Sequence, residues 1–203
     1  MHKERLELFS DGVFAIILTL LVLDLKVPHA EELAGLREAA PGLLIHALTF
    51  FVVGMSWLAH HGTLSHAREV TSRTLLLNLL YLLFVTLLPF GARIAAEDHW
   101  SSLGAFLLAS CSAIGTITLI GLQRTTASDL VTVPHMVAWR VRRRRLFYAI
   151  AALGLACAGL SFASPRFGYA FLSSYALGLF LPSPIEAERK MRDRLRADEL
   201  ARA

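Results

Sequence analysis

The chain has 203 residues, of which 55% are hydrophobic and 18% charged, whereas soluble domains hold about 45–50% apolar and about 25% charged residues. That balance excludes an ordinary soluble enzyme, and the net charge of +4 with a pI near 9.4 does not point to nucleic acid, because the basic residues flank apolar runs where anionic lipid headgroups are the nearer partner. The two cysteines, Cys111 and Cys157, each lie inside an apolar run and offer neither a disulfide framework nor a zinc-ligand spacing.

Six apolar blocks of about 20 residues set the expected fold class as all-α, a polytopic membrane protein with six transmembrane helices. The first runs over residues 9–27 and ends at Pro28; the others cover 43–62, 74–95, 103–122, 146–163 and 167–181. None alternates with period two, so a strand reading fails. The last block is short and interrupted by Gly168, Ser173, Ser174 and Gly178, which suits a tilted or partly re-entrant segment. The first block reads as a retained span: its apolar stretch is too long for a signal-peptide core, and no small-x-small site precedes the acidic loop. Residues 1–182 then form the transmembrane domain and 183–203 a charged C-terminal helix. Ser183, Pro184 and Glu186 match the N-cap, N1 and N3 positions of that helix, with Glu186–Lys190 and Glu188–Arg192 at i,i+4.

Alternate loops differ in charge. Sixteen of the twenty lysines and arginines fall on one side, including Arg140 and Arg142 to Arg145 and six in the tail; only Lys26, Arg37, Arg93 and Arg166 fall on the other. The positive-inside rule therefore places both termini in the cytoplasm, with the acidic loops at Glu31 and Asp98 outside.

Apolar positions are the default in a span, so the information lies in the polar exceptions. The first block carries Arg5, Ser10, Asp11, Thr19 and Asp24 on or beside it. A charge at a helix centre costs roughly 2.5–3.5 kcal/mol on insertion scales, so Asp11 belongs near an interface or beside a partner, and Arg5 lies close enough along the chain for a helix-end ion pair. Trp57, His60 and His61 lie toward the cytoplasmic end of the second span and Asn78 toward that of the third. Asp11, the Trp–His group and Asn78 thus share one depth, where an interhelical polar cluster specifies packing more than it adds stability. Adjacent histidines diverge by about 100° on a helix, so a metal site is not expected. A proton relay through His61 is the functional alternative.

Arg5-x-x-x-Phe9-Ser10-Asp11, continued by Gly12-Val13-Phe14-Ala15-Ile16, resembles the signature of the transmembrane protein 175 family of potassium channels. The likeness extends through Trp57-x-x-His60-His61 and from Leu76-Leu77-Asn78-Leu79 to Leu88-Pro89-Phe90. The resemblance implies six spans per repeat and no re-entrant carbonyl filter. With a single signature, the chain is similar to the bacterial single-repeat members, which assemble as homotetramers in the plasma membrane. It also implies a pore lined by the first span, with Ile16, Leu20 and Leu23 as the apolar bottleneck and Thr19 as a polar layer. The Arg–Phe–Ser–Asp signature would pack against Trp57, His60 or His61, and Asn78, outside the filter. Independently, Ile16, Thr19, Leu20 and Leu23 stand at i, i+3, i+4 and i+7, one stripe of one helix.

The expected function is a potassium-permeable cation channel that conducts passively, also open to other monovalent cations, with the permeant ion in place of any cofactor and no catalysis. The rival is a proton-conducting channel or proton-coupled secondary transporter using Asp11 and the histidines, which would call for an ionisable site near the midplane and inverted repeats.

Overall fold

The computed structural model describes residues 3–23, 25, 32–65, 67, 70–97, 100–126 and 134–177. Seven α-helices occupy them: α1 Lys3–Leu23, α2 Glu32–Leu64, α3 Ser72–Thr86, α4 Leu88–Glu97, α5 Ser102–Thr126, α6 Pro134–Leu160 and α7 Arg166–Leu177. Four stretches are long and apolar enough to cross a membrane, namely Lys3–Leu23, Ala34–Leu64, Ser72–Glu97 and Ser102–Thr126. The fifth and sixth blocks appear as α6 and α7. The end of the last block, Asp24, Glu31, Asp98 and the C-terminal helix expected over 183–203 lie outside the described residues.

Several helices differ from the apolar blocks for identifiable reasons. The third block is broken into α3 and α4 at Leu87, two residues before Pro89; a proline ring clashes with the carbonyl four residues back and supplies no N–H, but is tolerated in a first turn. Helices α2 and α6 begin well before their apolar stretches, α2 running on through Pro41; residues such as Arg, Glu and Ala favour helix where hydropathy falls away. The N-termini of α3 and α5 carry side-chain caps. Thr71 accepts the Thr74 N–H at 3.2 Å ahead of α3, and Ser101 accepts the Gly104 N–H at 3.1 Å ahead of α5.

Helix α5 is the axis of the subunit and packs against α2, α3, α4, α6 and α7. Its buried face is mostly small: Gly104, Ala105, Ala109, Ser112, Ala113, Gly115 and Thr116. Lipid tails are as apolar as leucine, so helices associate in a bilayer through close packing, which small residues permit. At Gly104 the approach is closest, since a Cβ there would stand 2.7 Å from the backbone of Ala95 on α4. After α4, the Trp100 N–H donates back to the carbonyl of Ala95 at 2.9 Å, and Trp100 itself has a positive φ of 69°. Its ring meets Tyr169 of α7 edge-on at 4.7 Å.

Helix α1 stands at the margin, packed mainly on α2 with edges of α3 and α4. Three bonds tie it antiparallel to α2. Lys3 donates to the Ser65 carbonyl at 2.7 Å, Trp57 Nε1 donates to Asp11 at 2.8 Å, and the His46 ring lies 3.2 Å from the Leu21 carbonyl. The residue numbers of each pair sum to 67 or 68, the mark of one unbroken antiparallel register. The last of these bonds also reaches a carbonyl in the final turn of α1, where helix carbonyls lack intrahelical donors.

Candidate functional site

The polar residues of the first three helices converge at one depth. Asn78, with no exposed surface, reaches from α3 between α1 and α2. Its Nδ2 donates to Ser10 Oγ at 3.1 Å, while its Oδ1 stands 2.6 Å from His60 Nε2. The Ser10 hydroxyl lies 2.9 Å from the Leu6 carbonyl, to which it donates. An amide oxygen only accepts, so His60 carries its proton on Nε2 in this arrangement. The His60 ring is stacked on Tyr81 at 5.2 Å and 1°, Phe14 approaches it at 5.6 Å, and the Tyr81 hydroxyl donates to the Ser56 carbonyl at 2.7 Å.

Of the two histidines, His60 joins Asn78 and His61 does not. His61 lies beside the group, stacked on Trp57 at 5.6 Å, as the 100° divergence of neighbouring helical residues requires. The expected ion pair between Arg5 and Asp11 is absent among the described residues: Asp11 accepts a hydrogen bond from the Trp57 indole N–H, and Arg5 is exposed, as is Phe9. No group of three or more His, Cys, Asp or Glu side chains suited to a metal ion occurs among the described residues. Tyr81, Ser56, Lys3 and His46 were not singled out from the sequence, and Phe14 entered only as part of the signature run. The antiparallel register implied by pairing Asp11 with Trp57 would have found His46 opposite Leu21; Tyr81 stands three residues beyond Asn78, on the same face of α3.

The second part of the site is the face α1 turns away from the subunit. Leu6, Ser10, Phe14, Ile17 and Leu21 are buried, a stripe at i, i+4, i+8, i+11 and i+15. Ile16 is 59% exposed, Leu20 46% and Leu23 75%, and Thr19 is exposed with them. The Thr19 hydroxyl donates its proton to the Ile16 carbonyl at 2.9 Å, which leaves its oxygen lone pairs as acceptors on an otherwise apolar surface.

Residues 5–89, which hold both parts of the site, match the family model described as endosomal/lysosomal potassium channel TMEM175. A potassium channel of Streptomyces collinus is 32% identical over 170 residues, covering 79% of this chain and 82% of that protein. The human endosomal/lysosomal proton channel TMEM175 is 32% identical over 198 residues, which cover 89% of this chain but 38% of the human protein. The crystal structure of a lysosomal potassium-selective channel TMEM175 homolog from Chamaesiphon minutus aligns with a TM-score of 0.75 at 29% identity, covering 90% of this chain and 98% of that one. The length of the match to the Streptomyces channel and the shared fold carry one conclusion: this chain belongs to the TMEM175 family of ion channels.

Proposed function

We propose that four copies of this chain form a potassium-permeable cation channel of six spans per subunit, in which α1 of each copy lines a central pore. The observation that carries this reading is the division of α1 into two faces. One stripe is committed to α2 and α3, and the other exposes Ile16, Leu20 and Leu23 with a single hydroxyl oxygen at Thr19. One helix cannot enclose a conduit, so a closed ring of symmetry-related α1 helices is required. The structural relative from Chamaesiphon minutus is described as potassium-selective and the Streptomyces relative as a potassium channel, which supports the choice of ion.

In such a ring, leucine and isoleucine side chains repeat at each level and offer an ion no coordinating oxygen. Water in a narrow apolar neck is unstable, so the closed state dewets; conduction follows when the α1 helices separate and admit a partly hydrated ion. Thr19 oxygens, with their protons held by Ile16 carbonyls, replace part of the lost hydration. The ionisable cluster at His60 and Asp11 lies on the faces α1 turns toward α2 and α3, where it sets how α1 stands.

A second reading, proton conduction, draws on the animal relatives, described as proton channels, and on the buried His60–Asn78–Ser10 chain. Purified protein in planar bilayers separates the two. Unitary currents with a potassium-dominated bi-ionic reversal potential are expected. A reversal potential that follows only the proton gradient would transfer the function to the second reading, and saturable flux without unitary current would sink the channel altogether.

A further inference from the structure

Arg124, in the last turn of α5, donates from Nη2 to the Tyr148 hydroxyl on α6 at 2.6 Å, and its guanidinium carbon stands 5.9 Å from the centre of the same ring. Tyr148 thus anchors a cation of one helix against its neighbour. Arg144 and Arg145 precede Tyr148 by four and three residues, so they occupy the same face of α6 one turn nearer its start. All three arginines are exposed, and among the described residues none is paired with a carboxylate. Arg124, held at Tyr148, therefore shares one face of α6 with Arg144 and Arg145, and like charges gathered on one patch repel one another and are relieved by an anion. Past the cations the surface becomes apolar. Ala149 and Leu153 follow Arg145 at i+4 and i+8, Leu160 lies two turns beyond Leu153, and all three are exposed.

We propose that Arg124, Arg144 and Arg145, organised by Tyr148, bind the phosphate of an anionic membrane lipid whose acyl chain runs along Ala149, Leu153 and Leu160. Guanidinium forks match phosphate oxygens from any source, but a free anion has no use for the apolar track. Arg124 also ends a helix long and apolar enough to span the bilayer, which puts the cations at headgroup depth. The site is independent of the pore reading, since it is formed within one subunit and its occupancy is measured without current.

The test follows the melting of the full chain in a neutral detergent while phosphatidylglycerol, phosphatidylcholine or inorganic phosphate is added. Phosphatidylglycerol is expected to raise the melting temperature saturably, and the other two to leave it unchanged at equal concentration. The double variant Arg144→Gln, Arg145→Gln is expected to raise the half-saturating lipid concentration about thirtyfold, from about 1 kcal/mol per arginine near a charged headgroup. Tyr148→Phe keeps the ring, frees Arg124 and is expected to raise it several-fold; it carries the comparison alone should the double variant not purify. Arg73→Gln removes an exposed charge from the start of α3, at the same end of the bundle, and is expected to change little. A loss in Arg73→Gln as large as that in Tyr148→Phe or in the double variant would mean a diffuse field and overturn the site. Inorganic phosphate acting as well as the lipid would overturn the lipid assignment, and a wild-type chain with no saturable response would overturn the whole proposal.

Discussion

Asn78 is the residue at which three helices meet, and its amide is used in both directions, donating to Ser10 and accepting from His60. Asn78→Leu keeps the approximate volume but leaves the His60 N–H without its acceptor in a buried setting. A buried group so orphaned costs about 1–3 kcal/mol, more than the roughly 0.6 kcal/mol average of an interhelical bond in a membrane, because the partner loses its only replacement for water. Asn78→Leu is therefore expected to lower the melting temperature in detergent by several degrees, and Ser10→Ala by clearly less, since the amide then keeps its bond to His60. Equal losses in the two would mean that the amide does not bridge the helices. The members of this group were legible as polar exceptions at one depth, and their common depth followed from span boundaries alone. Which histidine took part was not legible, because the choice depends on the rotation of α2 about its axis, which hydropathy leaves open when both flanks of a span are apolar.

At the scale of helices, the packing of α4 on α5 depends on the lack of a side chain at Gly104. A methyl group there would sit 2.7 Å from the N, Cα and Cβ atoms of Ala95, and a backbone cannot rotate aside as a side-chain end does. Gly104→Ala is expected to cost about 1–3 kcal/mol through forced separation of the helices. Gly54→Ala, on α2 with nothing within 4 Å of the added carbon, is expected to be neutral or to stabilise by about 0.5–1 kcal/mol through helix propensity. Melting temperatures of the two purified variants check the contrast, and a Gly54→Ala variant as unstable as Gly104→Ala would show that close approach is not what Gly104 provides. The sequence made most helices visible because apolar blocks of span length have few alternatives. It missed the break at Leu87, where Pro89 competes with an otherwise unbroken apolar run. It also missed the early starts of α2 and α6, where the helix continues into residues that hydropathy scores as loop. The centrality of α5 was illegible in a different way: small residues mark a helix contact, but not how many neighbours share it.

For the whole molecule, the alternation of spans puts Ser72 and Leu103 at opposite ends of the bundle, and both are exposed. With Cys111 and Cys157 replaced, a cysteine at Ser72 is expected to react with an impermeant thiol reagent from the cytoplasm only and one at Leu103 from outside only; the reverse pattern would invert the charge-based orientation. The central consequence of a four-fold assembly concerns α1. A pore-facing side chain appears four times at one level, so Leu20→Ala changes a whole ring and lowers the barrier of dehydration and dewetting together. Each 1.4 kcal/mol, roughly, is a tenfold change in rate, so a clear rise in basal conductance is expected, with weaker discrimination between potassium and sodium. Leu18 is chemically the same but half-buried against the core; Leu18→Ala is expected to lower stability and leave the conductance of assembled channels near that of the parent. Thr19→Val keeps the shape and removes the oxygen, so potassium preference is expected to fall while the pore still conducts. Single-channel currents and bi-ionic reversal potentials in planar bilayers decide among these. Leu18 and Leu20 variants that behave alike in both measurements would mean that the exposed face of α1 meets lipid or another helix, and the conduit would have to be sought elsewhere in the assembly.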